Sequence, residues 1–179
     1  YGGLYAFMTD PNATYAYALP YSQSFWDDLF QNASSWGLHV YEQDWLDRQT
    51  DRFRPLTQSA TLGREWLMMM GSAAAKFGLS IQYCMAYCRH VLQALEIPAV
   101  TQARASPDYH PGNTQWQPIG TTALLGWALG IAPSKDNFWS TVSQPQPNYV
   151  HPREPNSRLQ SVVLALSKGP VAASDAVNR

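Results

Sequence analysis

The sequence predicts an α/β fold of repeating strand–helix units. Three observations carry that expectation. Short apolar runs recur about every 20 to 40 residues, as parallel βα units require. Between them lie stretches with apolar residues at helical spacing, such as Phe25, Leu29 and Phe30. Gly37 and Gly78 follow two of those stretches, where a left-handed residue closes a helix. No Gly-rich phosphate loop follows the first run, which argues against a nucleotide-binding doubly wound sheet. The closed alternative is the (β/α)8 TIM barrel. A whole barrel takes about 250 residues, so the 179 residues here hold about five to six βα units. The expectation is one domain over residues 1–179, an incomplete excerpt of a barrel from a longer chain. Missing parts of that chain, or an oligomer partner, would complete it.

Each element follows from local chemistry. Residues 3–8 are a short apolar run read as the first strand, and the Pro- and Tyr-rich residues 10–23 as loop. Ser24 reads as a helix N-cap, with Asp27 in place of the usual capping-box Glu. Residues 38–42 form the second strand and 47–59 a loop. A helix rich in Leu, Met and Ala spans 61–77, and 79–84 is the third strand. Residues 85–95 read as helix, after which Pro98 opens the strand carrying Arg104. Pro107, Pro111 and Gly112 interrupt the chain before a helix at 119–129. Residues 133–156 contain five Pro, each lacking a backbone donor, and read as irregular. A last helix at 157–167 and a short strand at 171–173 complete the order.

Composition excludes several classes. Twelve basic and thirteen acidic residues give a net charge of −1, with no electrostatic footprint for nucleic acid. No run approaches the ~20 apolar residues of a membrane span. The longest, 123–132, is half that length and is interrupted by Gly126 and Gly130. Cys84 and Cys88 are the only cysteines, and a disulfide across one helical turn would stabilise little. With no Cys or His cluster at ligand spacing, neither a metal nor any cofactor is expected. His39, His90, His110 and His151 are scattered and read as local hydrogen bonders. The sequons at Asn12 and Asn32, in a low-charge chain that begins at Tyr1 as if processed or excerpted, point to a secreted or lumenal glycoprotein. Aromatics make up 13% of the chain, and many sit beside polar residues in the expected loops. Core filling and sugar stacking both remain open for them.

Two apolar runs end in acids. Val40-Tyr41-Glu42-Gln43 leads to Asp44 and Trp45; the run from Ala99 leads through Arg104 to Asp108 and Tyr109. Barrel enzymes present their chemistry at such strand ends. A pair of carboxylates there is the minimum apparatus for breaking a glycosidic bond, so a carbohydrate is the expected partner.

Four collinear segments carry a family likeness. They are Val40-Tyr41-Glu42-Gln43-Asp44, Arg104-Ala105-Ser106-Pro107-Asp108-Tyr109-His110-Pro111, Pro133-Ser134-Lys135-Asp136-Asn137-Phe138-Trp139-Ser140 and Gly169-Pro170-Val171-Ala172-Ala173-Ser174-Asp175. With them, residues 44–175 resemble the catalytic barrel of glycoside hydrolase family 36, most closely its raffinose-synthase-like and alkaline α-galactosidase branch. The resemblance implies retaining hydrolysis or transglycosylation of an α-linked sugar through a covalent glycosyl-enzyme. Asp44 would be the nucleophile and Asp108 the acid/base, roles that require carboxyls about 5–5.5 Å apart. Arg104 would bind a sugar hydroxyl and help keep Asp44 charged. Asp136, Trp139 and Asp175 match pocket positions of the family, and Cys84 a position that often faces the pocket. Trp45, Tyr109 and Trp116 are candidate stacking surfaces.

Two departures bear on substrate choice. The family's Lys two residues before the nucleophile is Glu42 here, so a donor becomes an acceptor that adds negative charge beside Asp44. The first Asp of the family's Ser-Asp-Asp is Pro107. Both changes fall among residues that would read the sugar, so galactose specificity does not carry over. They also leave open a catalytically inactive barrel serving as a carbohydrate-binding or structural module.

Overall fold

A computed structural model describes residues 3–14, 18–114, 116–145 and 152–177. His151 lies outside them. The chain divides into two compact units, Tyr1–Thr101 and Gln102–Arg179.

Unit 1 opens with a two-stranded antiparallel ribbon, β1 (Phe7–Thr9) and β2 (Ala18–Pro20). The loop expected over 10–23 thus contains a strand. Helix α1 (Gln23–Ser35) follows; its N-cap is Ser22, and Ser24 lies inside the helix. Gly37, at φ 88°, turns the chain as expected into β3 (Val40–Gln43). Residues 47–59 are not a loop: they hold the end of α2 (Leu46–Asp51) and all of α3 (Arg54–Gln58). These helices are too short and polar to show a period, but each buries one apolar anchor, Leu46 and Leu56. Helix α4 (Leu62–Lys76) leads through Gly78, at φ 69°, into β4 (Ser80–Tyr83). Helix α5 (Cys88–Gln93) starts three residues later than expected, because residues 84–87 form the turn off β4. A 3-10 turn then leads to β5 (Val100–Arg104), which crosses the boundary between the units.

The core of unit 1 lies between α1 and α4. Trp66, Leu67, Met70, Ala73 and Ala74 form the buried stripe of α4, at the spacing of one helix face. Its Trp66 ring lies 6.5 Å from Trp26 of α1, and Phe30 of α1 lies 5.0 Å from Tyr41 of β3. The other face of β3, carrying Val40 and Glu42, is exposed.

Unit 2 holds the rest of β5, helix α6 (Trp116–Ala128), strand β6 (Ala132–Ser134) and helix α7 (Ser157–Leu166). β6 starts the segment expected to be irregular; Pro133 sits within it, beside β5. The strand expected at 171–173 amounts to one parallel bridge, Phe138 to Ala173. Tyr109, Phe138, Trp139 and Leu164 form the buried apolar cluster. The four strands β3-β4-β5-β6 make one parallel sheet in that order. The fold is therefore α/β with a parallel sheet, as expected. Among the described residues, no helix is long and apolar enough to cross a membrane.

Candidate functional site

The first group of predicted residues gathers at the end of β3, in unit 1. Glu42 pairs with Gln82 in the sheet register, and the Gln82 amide donates to its carboxylate at 2.8 Å. Asp44 is the first residue beyond β3, and its Oδ1 accepts the Trp45 N–H at 2.6 Å. Trp45 adopts a left-handed backbone (φ 60°), as does Met85 (φ 50°) just beyond Cys84 at the end of β4. For residues other than glycine this conformation costs about 1–2 kcal/mol each. The strain thus falls at two adjacent strand ends, which the Asp47 N–H ties together by donating to the Met85 carbonyl at 2.9 Å. Trp45 is 44% exposed, with the Arg48 guanidinium 5.3 Å from its ring centre.

Ligand atoms of Glu42, Asp44 and Cys84 lie within 4.8 Å of one another, a spacing that would suit one metal ion. Glu42 is exposed and already serves the strand pairing with Gln82, which is enough to account for its place. Cys84 is buried and Cys88 exposed, and neither is in a disulfide.

The second group gathers beyond β5, in unit 2. Arg104, the last residue of that strand, holds Asp108 through Nη2 at 2.7 Å and reaches Asp136 at 3.8 Å. Asp136 in turn accepts the Tyr109 N–H at 2.6 Å and donates its own N–H to Ser106 Oγ at 2.8 Å. The loop carrying Asp108 is thereby clamped on both sides of the acid, while the Asp108 side chain stays 55% exposed.

Beneath this clamp lies a buried polar network. Tyr109 is 3% exposed, and its phenol donates to Glu154 at 2.9 Å. Glu154 is fully buried and also accepts from the Gly112 and Asn156 N–H groups and the Gln160 amide. Lys135, likewise buried, lies 4.9 Å from the centre of the Tyr109 ring and donates to the Asp136 and Asn137 carbonyls. Burial pulls its ammonium down to about 8, against the pull of the Asp136 and Glu154 carboxylates. Lys135 and Glu154 had no signal in the sequence beyond their identity. Nineteen positions separate them, and only the packing around Tyr109 brings them into one network.

Among the remaining predicted residues, Trp139 packs edge-on against Tyr109 with ring centres 6.4 Å apart, in the core of unit 2. Asp175 stands in a separate cluster, accepting from the Ser140 N–H and hydroxyl and from the Gln144 amide. Trp116 opens α6 and is half-buried. Asn12 is exposed in a turn, whereas Asn32 lies inside α1 with its amide donating to the Asp28 carbonyl. His90 meets its expectation as a local hydrogen bonder. Its Nδ1 accepts the Tyr87 N–H, so Nε2 carries the proton and donates to Thr50 Oγ1 at 3.1 Å. Burial pushes its ring down to about 4, fixing the neutral form.

The structure thus brings together Glu42, Asp44 and Cys84 in one unit, and Arg104, Asp108, Tyr109 and Asp136 in the other. Compared with known proteins, the chain matches no family model and no curated protein.

Proposed function

We propose that the chain is the catalytic barrel portion of a secreted retaining glycosidase or transglycosidase acting on an α-linked sugar. The observation that carries this reading is the position of the two acids after strands of a parallel sheet. Asp44 directly follows β3, and Asp108 follows β5 and is held by that strand's last residue. Ligand-facing groups of βα folds sit at such carboxyl ends. The exposed face of β3 supports the barrel half of the proposal. A parallel sheet is ordinarily covered on both faces, and barrel closure would cover this one.

In the proposed mechanism, Asp44 attacks the anomeric carbon while Asp108 protonates the leaving oxygen. Asp108, now a carboxylate, then takes a proton from water or an acceptor hydroxyl, which displaces Asp44. Arg104 neutralises the Asp108 carboxylate between these steps, and Trp45 offers an exposed ring for a sugar face. Glu42, an acceptor where the resembling family has a donor, selects a hydroxyl pattern other than that of galactose.

Aryl α-glycosides of several sugars, with added azide, test the assignment. Asp44→Ala should yield the β-glycosyl azide and Asp108→Ala the α-glycosyl azide, because removal of the nucleophile leaves a single displacement. Equal rates for wild type, Asp44→Asn and Asp108→Asn would sink the proposal. Saturable sugar binding without turnover would instead favour the inactive binding module, which the negative charge of Glu42 beside Asp44 also favours.

A further inference from the structure

Unit 1 contains a cleft of about 170 Å³ that none of the proposed catalytic residues lines. Its lining includes two arginines, Arg64 of α4 and Arg89 of α5, and no Asp or Glu among the described residues. Arg64 is neutralised by Glu96, with Nε 2.6 Å from the carboxylate. Arg89 is exposed and has no hydrogen-bond or ion-pair partner among the described residues. Of the two lining guanidinium groups, Arg89 therefore keeps its charge outside any ion pair among the described residues, although the Asp51 carboxylate acts on the neighbouring His90 from outside the lining.

Ser59, which caps the end of α3, and Gly63, in the first turn of α4, form another wall. Ser59 Oγ accepts the Thr61 and Leu62 N–H groups. The next two N–H groups, of Gly63 and Arg64, have no carbonyl four residues back within the helix. This is a fifteen-residue helix, long enough to concentrate partial positive charge at its start. A side chain at Gly63 would meet nothing within 4 Å, so the backbone is open to a ligand. Trp66 forms a third wall. It is 2% exposed, and its indole N–H is buried with no acceptor among the described residues. Buried donors are rarely left unmatched.

Topology places the cleft where ligands bind in such folds. The C-terminal end of α4 leads through Gly78 into the start of β4. Its N-terminal end consequently lies toward the carboxyl ends of β3 and β4, the ligand side of βα sheets.

We propose that this cleft binds a tetrahedral oxyanion, as free phosphate or as the phosphoryl group of a small ester. Arg89 supplies the unpaired charge, Arg64 further guanidinium donors, and the start of α4 backbone N–H groups. Leu56 and Leu67 give the cleft an apolar floor suited to the body of an ester. The neutral His90, committed to Thr50, shapes the wall without adding charge.

Calorimetric titration of the full chain with inorganic phosphate at constant ionic strength is the test. Saturable binding is expected, weakened about tenfold in Arg89→Met. Gly63→Asp, which fits the open space and sets a like charge against the ligand, should abolish it. The Trp66 indole N–H resonance, assigned with Trp66→Phe, should shift with phosphate. Tighter binding of phenyl phosphate than of phosphate identifies an ester ligand, and equal binding the free anion. No saturation, or unchanged affinity in folded Arg89→Met and Gly63→Asp, overturns the proposal.

Discussion

Arg104 and Asp108 are joined across four residues of chain by a 2.7 Å ion pair whose two ends differ sharply in environment. The Arg104 side chain is 11% exposed, the Asp108 side chain 55%. Such an arrangement presents an acid to solvent from a fixed base. Because Asp108 is so exposed, the pair contributes at most about 1 kcal/mol to stability. Arg104→Met should therefore shift the denaturant midpoint only slightly. On the proposed mechanism, it should lower glycoside turnover about a hundredfold. Parallel unfolding and activity measurements separate the two effects.

Glu154 has the opposite balance. It is fully buried and accepts from four donors, two of them backbone N–H groups. Glu154→Ala leaves those donors without an acceptor, at a cost of about 3 kcal/mol. Urea denaturation should show the loss, with Tyr109→Phe costing less because it removes a single bond.

The two buried bases predict opposite ends of the pH–stability curve. Lys135 titrates at about 8 in the fold against an ordinary 10.5, so between these values the unfolded chain binds more protons. Stability should rise with pH across that window by up to about 3 kcal/mol, a rise that Lys135→Met should remove. His90 titrates at about 4 against 6.5. Its contribution is complete above pH 6.5 and is lost as pH falls toward 4. Unfolding curves of His90→Gln should lack that acid-side loss.

Gly169 is a steric prediction. A Cβ there would collide with the Pro133 carbonyl and crowd the Ser134 Cα, both backbone and unable to rotate aside. Gly169→Ala should destabilise unit 2 by about 3 kcal/mol. Limited proteolysis should then cut residues 102–177 before unit 1.

Long-period features were legible in the sequence, while short or long-range ones were not. The stripe of α4 and the stops at Gly37 and Gly78 could be read directly, since each rests on residues within one or two turns. Helices α2 and α3 could not. Asp47, Arg48, Gln49 and Asp51 show no apolar period, and the burial of Leu46 and Leu56 is decided by tertiary packing. The site divides in the same way. Strand-end Asp44 and the spacing of Arg104 to Asp108 were visible along the chain. Lys135 and Glu154 were not, because each is defined by contact with Tyr109. The phosphate cleft likewise draws Thr50, Gly63 and Arg89 from three separate helical segments, none with a motif of its own.

Among the described residues β3 is the outermost strand of its sheet, so in this chain, short of barrel closure, one side of its backbone has no neighbouring strand. An edge of this kind is a template for the strand of another molecule, and brevity and charge are what blunt it. Val40-Tyr41-Glu42-Gln43 has four residues and one charge, on the exposed face. Glu42→Val would turn that segment into a run of β-favouring side chains, and light scattering should then report self-association on standing. The carboxylate that unsettles sugar specificity would thus also act as a gatekeeper of solubility.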